Sequence, residues 1–287
     1  MNLRGLAYEL TRPQRWKRLL VRLACRLGLA EANRPLGSVP ATVFAPPDGG
    51  SWYAPVMLPA ESLGARATSA ACARGVLATL ERLEPDAYAA YVCAYYREGL
   101  ARFGDGWLYA DILTALHAAA ELVRPKSYLE IGVRRGRSLA VVAAVCPECD
   151  ILGFDLWLPG YAGMPNPGPE FVGSELKKIG HRGRLHLVSG DSHATVPRYL
   201  RDNPEAQFDV VTVDGDHSRR GATLDLRQVM PRIKIGGVLV FDDICHPDFR
   251  HLRQVWKTRV VSRREFASWE FTALGYGVGL AIRKESG

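Results

Sequence analysis

The sequence predicts an α/β fold with a doubly wound, mostly parallel seven-stranded sheet, an antiparallel C-terminal hairpin and a preceding helical N-terminal extension. Between residues 128 and 241, short apolar runs alternate with stretches of helical periodicity, which is the pattern of parallel βαβ units. The 287 residues are enough for one sizeable domain plus an extension. With 47% apolar and 23% charged residues, the composition is typical of a soluble globular protein.

The first 34 residues form a basic segment. They hold eight Arg or Lys and two Glu, which gives +6 of the net charge of +7. Their apolar side chains recur at helical spacing, so we expect a basic amphipathic helix. We expect it to pack on its own domain or on a second copy of the chain, and an anionic membrane surface or a partner protein is the alternative. The remaining chain is nearly neutral, which argues against nucleic-acid binding.

Three further segments follow. Residues 35–60 contain six Pro and read as an irregular connector. Residues 61–103 show a helix to about Leu83 and a second helix with a stripe of four Tyr, which we expect to form a cap or lid. Residues 104–287 are expected to form the ligand-binding domain, beginning with a periodic helix at 108–123. The six Cys are scattered, which suits the reducing cytosol.

A glycine turn is the segment around which this domain is organised. Residues 128–131 read as a short buried strand and residues 138–145 as a helix. Between them lies Glu130-x-Gly132-x-x-x-Gly136. Such a turn lets backbone N–H groups and a helix N-terminus approach a ligand closely. The spacing is not the Gly-x-Gly-x-x-Gly of dinucleotide sites, which argues against a nicotinamide-dependent oxidoreductase.

Acidic residues follow the later strands of the predicted sheet. These strands are expected at residues 151–154, 185–188, 208–213 and 237–241, with a closing hairpin at 269–273 and 278–283. The side chains just beyond the four strands include Asp155, Asp191, Ser192, Asp214, His217, Asp242 and Asp243. Ligands of doubly wound sheets bind beyond the carboxyl ends of the strands, and an acid in the place of Asp155 typically binds a ribose diol.

These motifs resemble those of an enzyme family. The Glu-x-Gly-x-x-x-Gly turn is similar to the first motif of class I S-adenosylmethionine (SAM)-dependent methyltransferases. The run Asp-Gly-Asp-His, then a helix, then Gly-Gly-Val-Leu-Val-Phe-Asp-Asp resembles the macrocin and macrolide sugar O-methyltransferases and the cephalosporin-biosynthesis methyltransferase-like proteins. The resemblance covers about residues 108–284. It implies a Rossmann-like fold, SAM as cofactor, and methyl transfer to a hydroxyl of a small molecule or sugar.

The resemblance also implies roles for individual residues. SAM would be bound by Glu130, Gly132, Gly136, Ser138, Asp155, Asp191 and Ser192, with Asp191 or Ser192 near the adenine. Mg²⁺ would be bound by Asp214, Asp242 and Asp243, and His217 would be the catalytic base beside Asp214.

The positions of strands four and five support a metal site independently. Neighbouring strands lie about 4.8 Å apart, so the acids at their ends can converge on one cation. Three carboxylates favour a hard ion such as Mg²⁺. Consecutive strand residues point to opposite faces, so Asp242 and Asp243 can both be ligands only if the chain leaves β geometry there. The alternatives are that the acids cap helices or bind only the cofactor, and that His246 is a substitute ligand or a solvated loop residue.

Three other interpretations remain at this point. The Pro/Gly-rich loop 157–169 either shapes a substrate pocket or is a rigid surface connector. Cys146 and Cys149 have redox or zinc spacing, but no second Cys pair accompanies them and we expect no function there. A catalytically silent subunit, whose N-terminal part binds a partner, is the alternative to an enzyme. The intact Asp-Gly-Asp-His motif weighs against it.

Overall fold

The computed structural model describes residues 41–46 and 55–285. Its sheet has the order β3-β2-β1-β4-β5-β7-β6, in which β7 pairs antiparallel with β5 and β6 while the other neighbours are parallel. The strands are β1 (Ser127–Ile131), β2 (Asp150–Asp155), β3 (Leu185–Ser189), β4 (Phe208–Val213), β5 (Ile233–Asp242), β6 (Phe266–Phe271) and β7 (Val278–Arg283). The predicted fold class is confirmed. The predicted basic helix at 1–34 lies outside the described residues, as does most of the connector.

The strand order reverses at β1, and this reversal positions the site. β1 pairs with β2 on one side and with β4 on the other, and the last pair on the β4 side is Ile131 with Val213. The glycine turn that follows β1 and the acidic turn that follows β4 therefore leave the sheet side by side. A crevice at such a switch point is where doubly wound sheets bind their ligands.

The helices cover both faces of the sheet. In the described part of the chain they are α1 (Ala60–Ala67), α2 (Ala70–Leu80), α3 (Ala87–Phe103), α4 (Ile112–Val123), α5 (Arg137–Val145), α6 (Pro169–Ile179), α7 (Ser192–Asp202), α8 (Arg219–Val229) and α9 (His251–Trp256). Successive residues of β1 point to opposite faces. Tyr128 accordingly lies in a core with α1 to α6, whereas Leu129 and Ile131 lie in a second core with α7 to α9. Burial on both faces explains why the central strands are continuous apolar runs.

Several element boundaries differ from the predicted ones, each for a local reason. The helix predicted to reach about Leu83 is two helices, because the first ends at Ala67 and the Ser69 side chain accepts from the Cys72 N–H to cap the second. The helix predicted from residue 108 begins at Ile112, because Asp111 forms a capping box with Thr114.

The fifth strand also begins earlier than predicted, at Ile233 rather than at residue 237. The glycine pair that suggested a strand start is an irregularity within the strand. Gly236 has a φ of +77°, and the pairing of β5 with β4 shifts register there.

The aromatic residues of α3 are divided between core and surface. Tyr96 is fully buried and donates to Asp111 at 2.6 Å. Its ring contacts Trp107 and Tyr109, which stack on each other with centroids 5.3 Å apart. Tyr91, in contrast, is 67% exposed. Among the described residues, no helix is both long and apolar enough to cross a membrane.

We expect Gly99→Ala to destabilise the protein. Gly99 lies on α3 against Trp107, and a Cβ there would be 2.2 Å from the indole ring. Overpacking of this kind costs about 1–3 kcal/mol, which exceeds the gain of about 1 kcal/mol from the better helix propensity of Ala. The free energy of unfolding is measured by urea titration, with circular dichroism as the signal.

The matched control is Gly173→Ala on α6, where the nearest atom to a new Cβ would be a Leu185 methyl at 3.8 Å. This variant should gain stability by up to about 1 kcal/mol. A Gly99→Ala protein as stable as the wild type would show that α3 is not packed as described.

Candidate functional site

The glycine turn between β1 and α5 requires glycine at two positions. Gly132 has a φ of +94° and Gly136, directly before α5, has a φ of +72°. A Cβ on Gly132 would lie 1.9 Å from the Asp214 carbonyl oxygen, and one on Gly136 would lie 2.7 Å from Val172. Both the backbone conformation and the lack of space exclude a side chain. The turn therefore presents bare backbone to the crevice.

Glu130 lies fully buried beneath this turn. The hydroxyls of Tyr128 and Ser138 both donate to its carboxylate, the second at 2.5 Å. Burial raises the pKa of Glu130 to about 8, against these hydrogen bonds, which lower it. The two predicted cofactor residues Glu130 and Ser138 are thus bonded to each other and connect β1 to the first turn of α5. Their contact with a cofactor stays a prediction.

Asp155 closes β2 beside the glycine turn. Its Oδ2 accepts from the Arg134 N–H at 2.7 Å, and its Oδ1 accepts from the Trp157 N–H at 2.5 Å. Each carboxylate oxygen offers two lone pairs, so each retains capacity for one further donor. This free capacity at the switch point fits the hydroxyls of a ribose, the role predicted for Asp155.

Asp191 and Ser192 lie at the next strand end, beyond β3. Asp191 accepts from the His193 N–H at 2.9 Å as the cap of α7, and its side chain is 62% exposed. Ser192 donates at 2.8 Å to Asp225, a fully buried carboxylate on α8. Burial raises the pKa of Asp225 to about 6. Asp191 is free to meet a ligand, whereas the Ser192 hydroxyl hydrogen is engaged within the fold.

Asp214, His217 and Asp243 converge at the ends of β4 and β5. His217 Nε2 lies 3.4 Å from Asp214 Oδ1 and 3.2 Å from Asp243 Oδ2. One ligand atom from each of the three residues lies within 4.8 Å of the others. The other ring nitrogen, Nδ1, is 3.1 Å from the Tyr161 hydroxyl. Three residues singled out from the sequence are therefore neighbours, and we call them the acid–histidine cluster.

The chain leaves β geometry between the two consecutive aspartates. β5 ends at Asp242, and Asp243 has a left-handed φ of +59°. Asp242 is not among the three clustered ligands. Burial and the charges of Asp243 and Asp214 raise its pKa well above its usual range. Its role as a metal ligand stays a prediction.

The acid–histidine cluster holds two carboxylates and only one basic group, the imidazole of His217. Burial lowers the pKa of His217, but the Asp214 and Asp243 carboxylates outweigh burial and raise this pKa to about 11. His217 is therefore an imidazolium at neutral pH. Its Nε2 is buried without a well-directed hydrogen bond in the described part of the chain. The two carboxylates of the cluster fit a divalent cation, which would take the place of the positive charge now on His217.

Comparison with known proteins assigns the domain. Residues 129–244 match a family model described as a methyltransferase domain, and this range runs from β1 to just beyond β5. It includes the glycine turn and the whole acid–histidine cluster. On this match, residues 129–244 are similar to a methyltransferase domain.

Individual relatives are distant. The tapetum-specific methyltransferase 1 of Arabidopsis thaliana is 28% identical over 129 residues, which are 45% of this chain and 51% of that protein, so the chain spans about half the length of this relative. The solved O-methyltransferase TomG from Streptomyces achromogenes, in complex with SAM, has a TM-score of 0.50 at 20% identity, covering 71% of this chain and 92% of that one. The calicheamicin methyltransferase CalS11 has a TM-score of 0.49 at 18% identity, covering 88% and 98%. The likeness to TomG concerns the fold.

Tyr161 is a neighbour of the acid–histidine cluster that the sequence did not reveal. It lies in the loop 157–169, where its hydroxyl meets His217 and its ring lies 5.6 Å from the Arg134 guanidinium carbon. The loop thus reaches both the glycine turn and the acid–histidine cluster. Its Pro/Gly composition indicated a ligand-edge loop, but nothing in the sequence indicated which side chain turns inward.

Asp86 is a second residue that was missed. It caps α3 by accepting from the Ala89 N–H, and its carboxylate also pairs with Arg135 at 3.0 Å and with Arg137 at 2.5 Å. Burial raises the pKa of Asp86, but the Ala89 hydrogen bond and the two arginines outweigh it and lower the pKa. The helices before the methyltransferase domain are thereby joined to its glycine turn. Pro-Asp before a helix signals a cap, but not these arginine partners.

We expect His217 to stay protonated well above pH 8 in cation-free protein. Its pKa is raised from 6.5 to about 11, so its contribution to stability is complete below pH 6.5 and is lost only as the pH rises towards 11. Long-range ¹H–¹⁵N spectra of the imidazole, assigned with His217→Gln, measure the protonation state. Asp243→Asn should lower the pKa of His217, because it removes one of the two carboxylate charges that raise it. A neutral His217 ring at pH 7.5 in chelator-treated protein would contradict this electrostatic description.

Proposed function

We propose that this protein is a SAM-dependent O-methyltransferase that transfers a methyl group to a hydroxyl of a small molecule or sugar. The observation that carries the proposal is the acid–histidine cluster at the same sheet edge as the glycine turn. Methyl transfer needs an acceptor oxygen in line with the sulfonium methyl and stripped of its proton. In this proposal the glycine turn orients the methyl donor, and the acid–histidine cluster removes the proton of the acceptor.

In the proposed reaction, an O–CH₃ bond forms as the S–CH₃ bond of SAM breaks, and S-adenosylhomocysteine (SAH) is the product. The proton of the acceptor hydroxyl passes to His217. Asp155 and the glycine turn orient the methyl donor, which lowers the barrier by alignment. Tyr161, bonded to the far nitrogen of His217, holds the imidazole ring towards the acceptor side.

Asp214 and Asp243 would hold Mg²⁺, with Asp242 as a further ligand. Mg²⁺, when bound, lowers the pKa of a hydroxyl that it contacts. The carboxylates also decide the state of His217, because their charge keeps it an imidazolium in cation-free protein, and an imidazolium cannot accept a proton. Charge neutralisation at Asp214 and Asp243 would bring the pKa of His217 down towards the range of a useful base. The metal and the base are therefore coupled in this proposal.

The surroundings of His217 favour an acceptor with a flat or apolar face. The His217 ring stacks on Phe249 at 5.0 Å, and Phe249 contacts His246, which in turn contacts Tyr276. Tyr276 is 56% exposed and completes a row of rings from the cluster to solvent. Sugar and aromatic rings both pack well on such a row. In this proposal, His246 contacts the acceptor through its ring.

The partner and location predictions depend on residues outside the described part. We propose that the basic segment 1–34 contacts the domain, a second copy, an anionic membrane surface or another protein, and that the protein works in the cytoplasm or peripherally at the membrane. A catalytically silent subunit is the alternative function, and it would bind SAH without turning over any acceptor.

Asp155→Ala should weaken SAH binding by about 1.5–3 kcal/mol, the range for hydrogen bonds to a charged group. The ribose loses its acceptor, and the Arg134 and Trp157 N–H groups lose theirs. Isothermal titration calorimetry measures the affinity. Asp105→Ala is the control, because Asp105 is 88% exposed and paired only with Arg74 among the described residues. Unchanged affinity in a folded Asp155→Ala protein would remove Asp155 from the site.

Chelation and substitution separate the metal from the base. Turnover is measured as the SAH formed from SAM when a panel of hydroxylated small molecules and sugars is offered as acceptors. EDTA should abolish this turnover, and Mg²⁺ should restore it. Asp243→Asn should lose most turnover but keep SAH affinity. His217→Ala should lose on the order of 10²–10⁴-fold in rate, the usual contribution of a positioned base, and its residual rate should rise with pH.

Three outcomes would revise this proposal. Full activity after exhaustive chelation would show that the reaction does not need a metal. An Asp243→Asn protein that no longer binds SAH would place Asp243 on the cofactor side rather than beside the acceptor. SAH binding without turnover of any panel member, with or without Mg²⁺, would favour the silent subunit.

A further inference from the structure

A second group of potential metal ligands joins α2 to α4, away from the carboxyl edge of the sheet. Cys72, in the first turn of α2, is fully buried, while His117 and Glu121 are four residues apart and share one face of α4. Glu121 Oε2 lies 3.6 Å from His117 Nδ1 and 3.9 Å from Cys72 Sγ. One ligand atom from each of the three residues lies within 4.8 Å of the others.

His117 Nδ1 is the atom that this packing leaves without a partner. The residue is 7% exposed, and Nδ1 is buried without a hydrogen bond among the described residues. The ring packs directly on Gly75 of α2, where a Cβ would be 2.1 Å from His117 Nε2. A buried nitrogen without a partner is unfavourable, and a cation between His117 and Glu121 would remove that cost.

We propose that Cys72, His117 and Glu121 form a zinc-binding site that fastens α2 to α4. Zn²⁺ binds thiolate, imidazole and carboxylate at about 2.0–2.3 Å, so the ligand atoms of a tetrahedral site lie about 3.3–3.7 Å apart. Two of the three separations, at 3.6 and 3.9 Å, need to change by only a few tenths of an ångström. The third, between Cys72 and His117, lies within 4.8 Å and closes by at most about 1 Å when a metal draws the ligands together. Water would complete the coordination.

The chemistry of the ligands distinguishes this site from the acid–histidine cluster. A thiolate is a soft ligand and favours zinc, whereas the carboxylates beside His217 favour a hard ion such as Mg²⁺. Zinc binding at α2 and α4 would also touch no residue of the proposed catalytic site. Its consequence would be stability, because a ligand that binds only the folded chain stabilises it.

In the metal-free protein, Arg66 supplies the positive charge that pairs with Glu121. Its Nε donates to Glu121 Oε2 at 2.7 Å, and its side chain is 38% exposed, so it can turn towards solvent when a metal takes the carboxylate. Burial raises the pKa of the Cys72 thiol to about 11. Zinc must therefore displace the thiol proton, and its affinity should increase with pH.

Cobalt substitution tests the site directly. Tag-free, chelator-treated protein carrying Asp214→Asn and Asp243→Asn, which disables the acid–histidine cluster, is titrated with Co²⁺. A thiolate ligand gives Co²⁺ a near-ultraviolet charge-transfer band that carboxylates and imidazoles do not give. We expect this band at one equivalent, its loss on addition of Zn²⁺, and a rise in Tm with Zn²⁺.

Variants confirm the ligands. Cys72→Ser and His117→Gln should each weaken Zn²⁺ binding by more than about 100-fold, since outer partners of metal ligands alone contribute 10–100-fold. Cys93→Ser, which removes another buried thiol on α3, should leave the band and the affinity unchanged. Absence of the band in the parent protein would overturn the proposal without any Cys72 variant having to fold. Equal Zn²⁺ affinity in folded Cys72→Ser would overturn it as well.

Discussion

The close approach of Gly132 to Asp214 is the constraint on which the site depends. The Asp214 N–H donates to Ile131 and the Gly132 N–H donates to Phe154, so the ends of three adjacent strands are tied together by backbone. Any side chain at Gly132 would meet the Asp214 carbonyl oxygen at 1.9 Å. This single missing Cβ lets the glycine turn and the acidic turn leave the sheet in contact. The distance between the two turns is therefore set by the main chain rather than by flexible side chains.

Strain and charge are concentrated at this same edge. Three of the four described non-glycine residues with positive φ follow the ends of β1, β2 and β5, namely Arg134, Trp157 and Asp243. Such conformations persist only where the surroundings enforce them. Asp155 does so for two of these segments, because its carboxylate accepts from both the Arg134 and the Trp157 N–H. The left-handed conformation of Asp243 lets its side chain reach His217. Backbone strain thus creates the acidic cluster, whose negative charge a cation or an imidazolium must then neutralise.

The sequence predicted what depends on local pattern. Strand runs, glycine spacing and acids at strand ends follow from periodicity and sheet geometry, and they predicted that Asp214 and Asp243 lie at neighbouring strand ends. The resemblance added His217, whereas Asp242, predicted beside them, is not among the three clustered ligands. Contacts between distant loops carry no such pattern. The Tyr161–His217 pair and the Asp86 bridge to Arg135 and Arg137 join segments 56 and about 50 residues apart, and only the packed fold selects them. The charge state of His217 was missed for the same reason, because it depends on three-dimensional distances to carboxylates.

The helices at 61–103 and the loop at 157–169 differ in how strongly they are fixed, which bears on how a substrate reaches the site. Moving α3 would expose Tyr96, and an aromatic side chain buries about 150–250 Å², worth roughly 4–6 kcal/mol at 25 cal/mol per Å². It would also separate Asp86 from two largely buried arginines. The loop, in contrast, carries Tyr161 at 39% exposure and is held to the acid–histidine cluster by one hydrogen bond. Among the described residues, α3 is therefore held to the sheet domain more strongly than Tyr161 is held to the acid–histidine cluster, and the predicted role of residues 61–103 as a cap or lid stays a prediction.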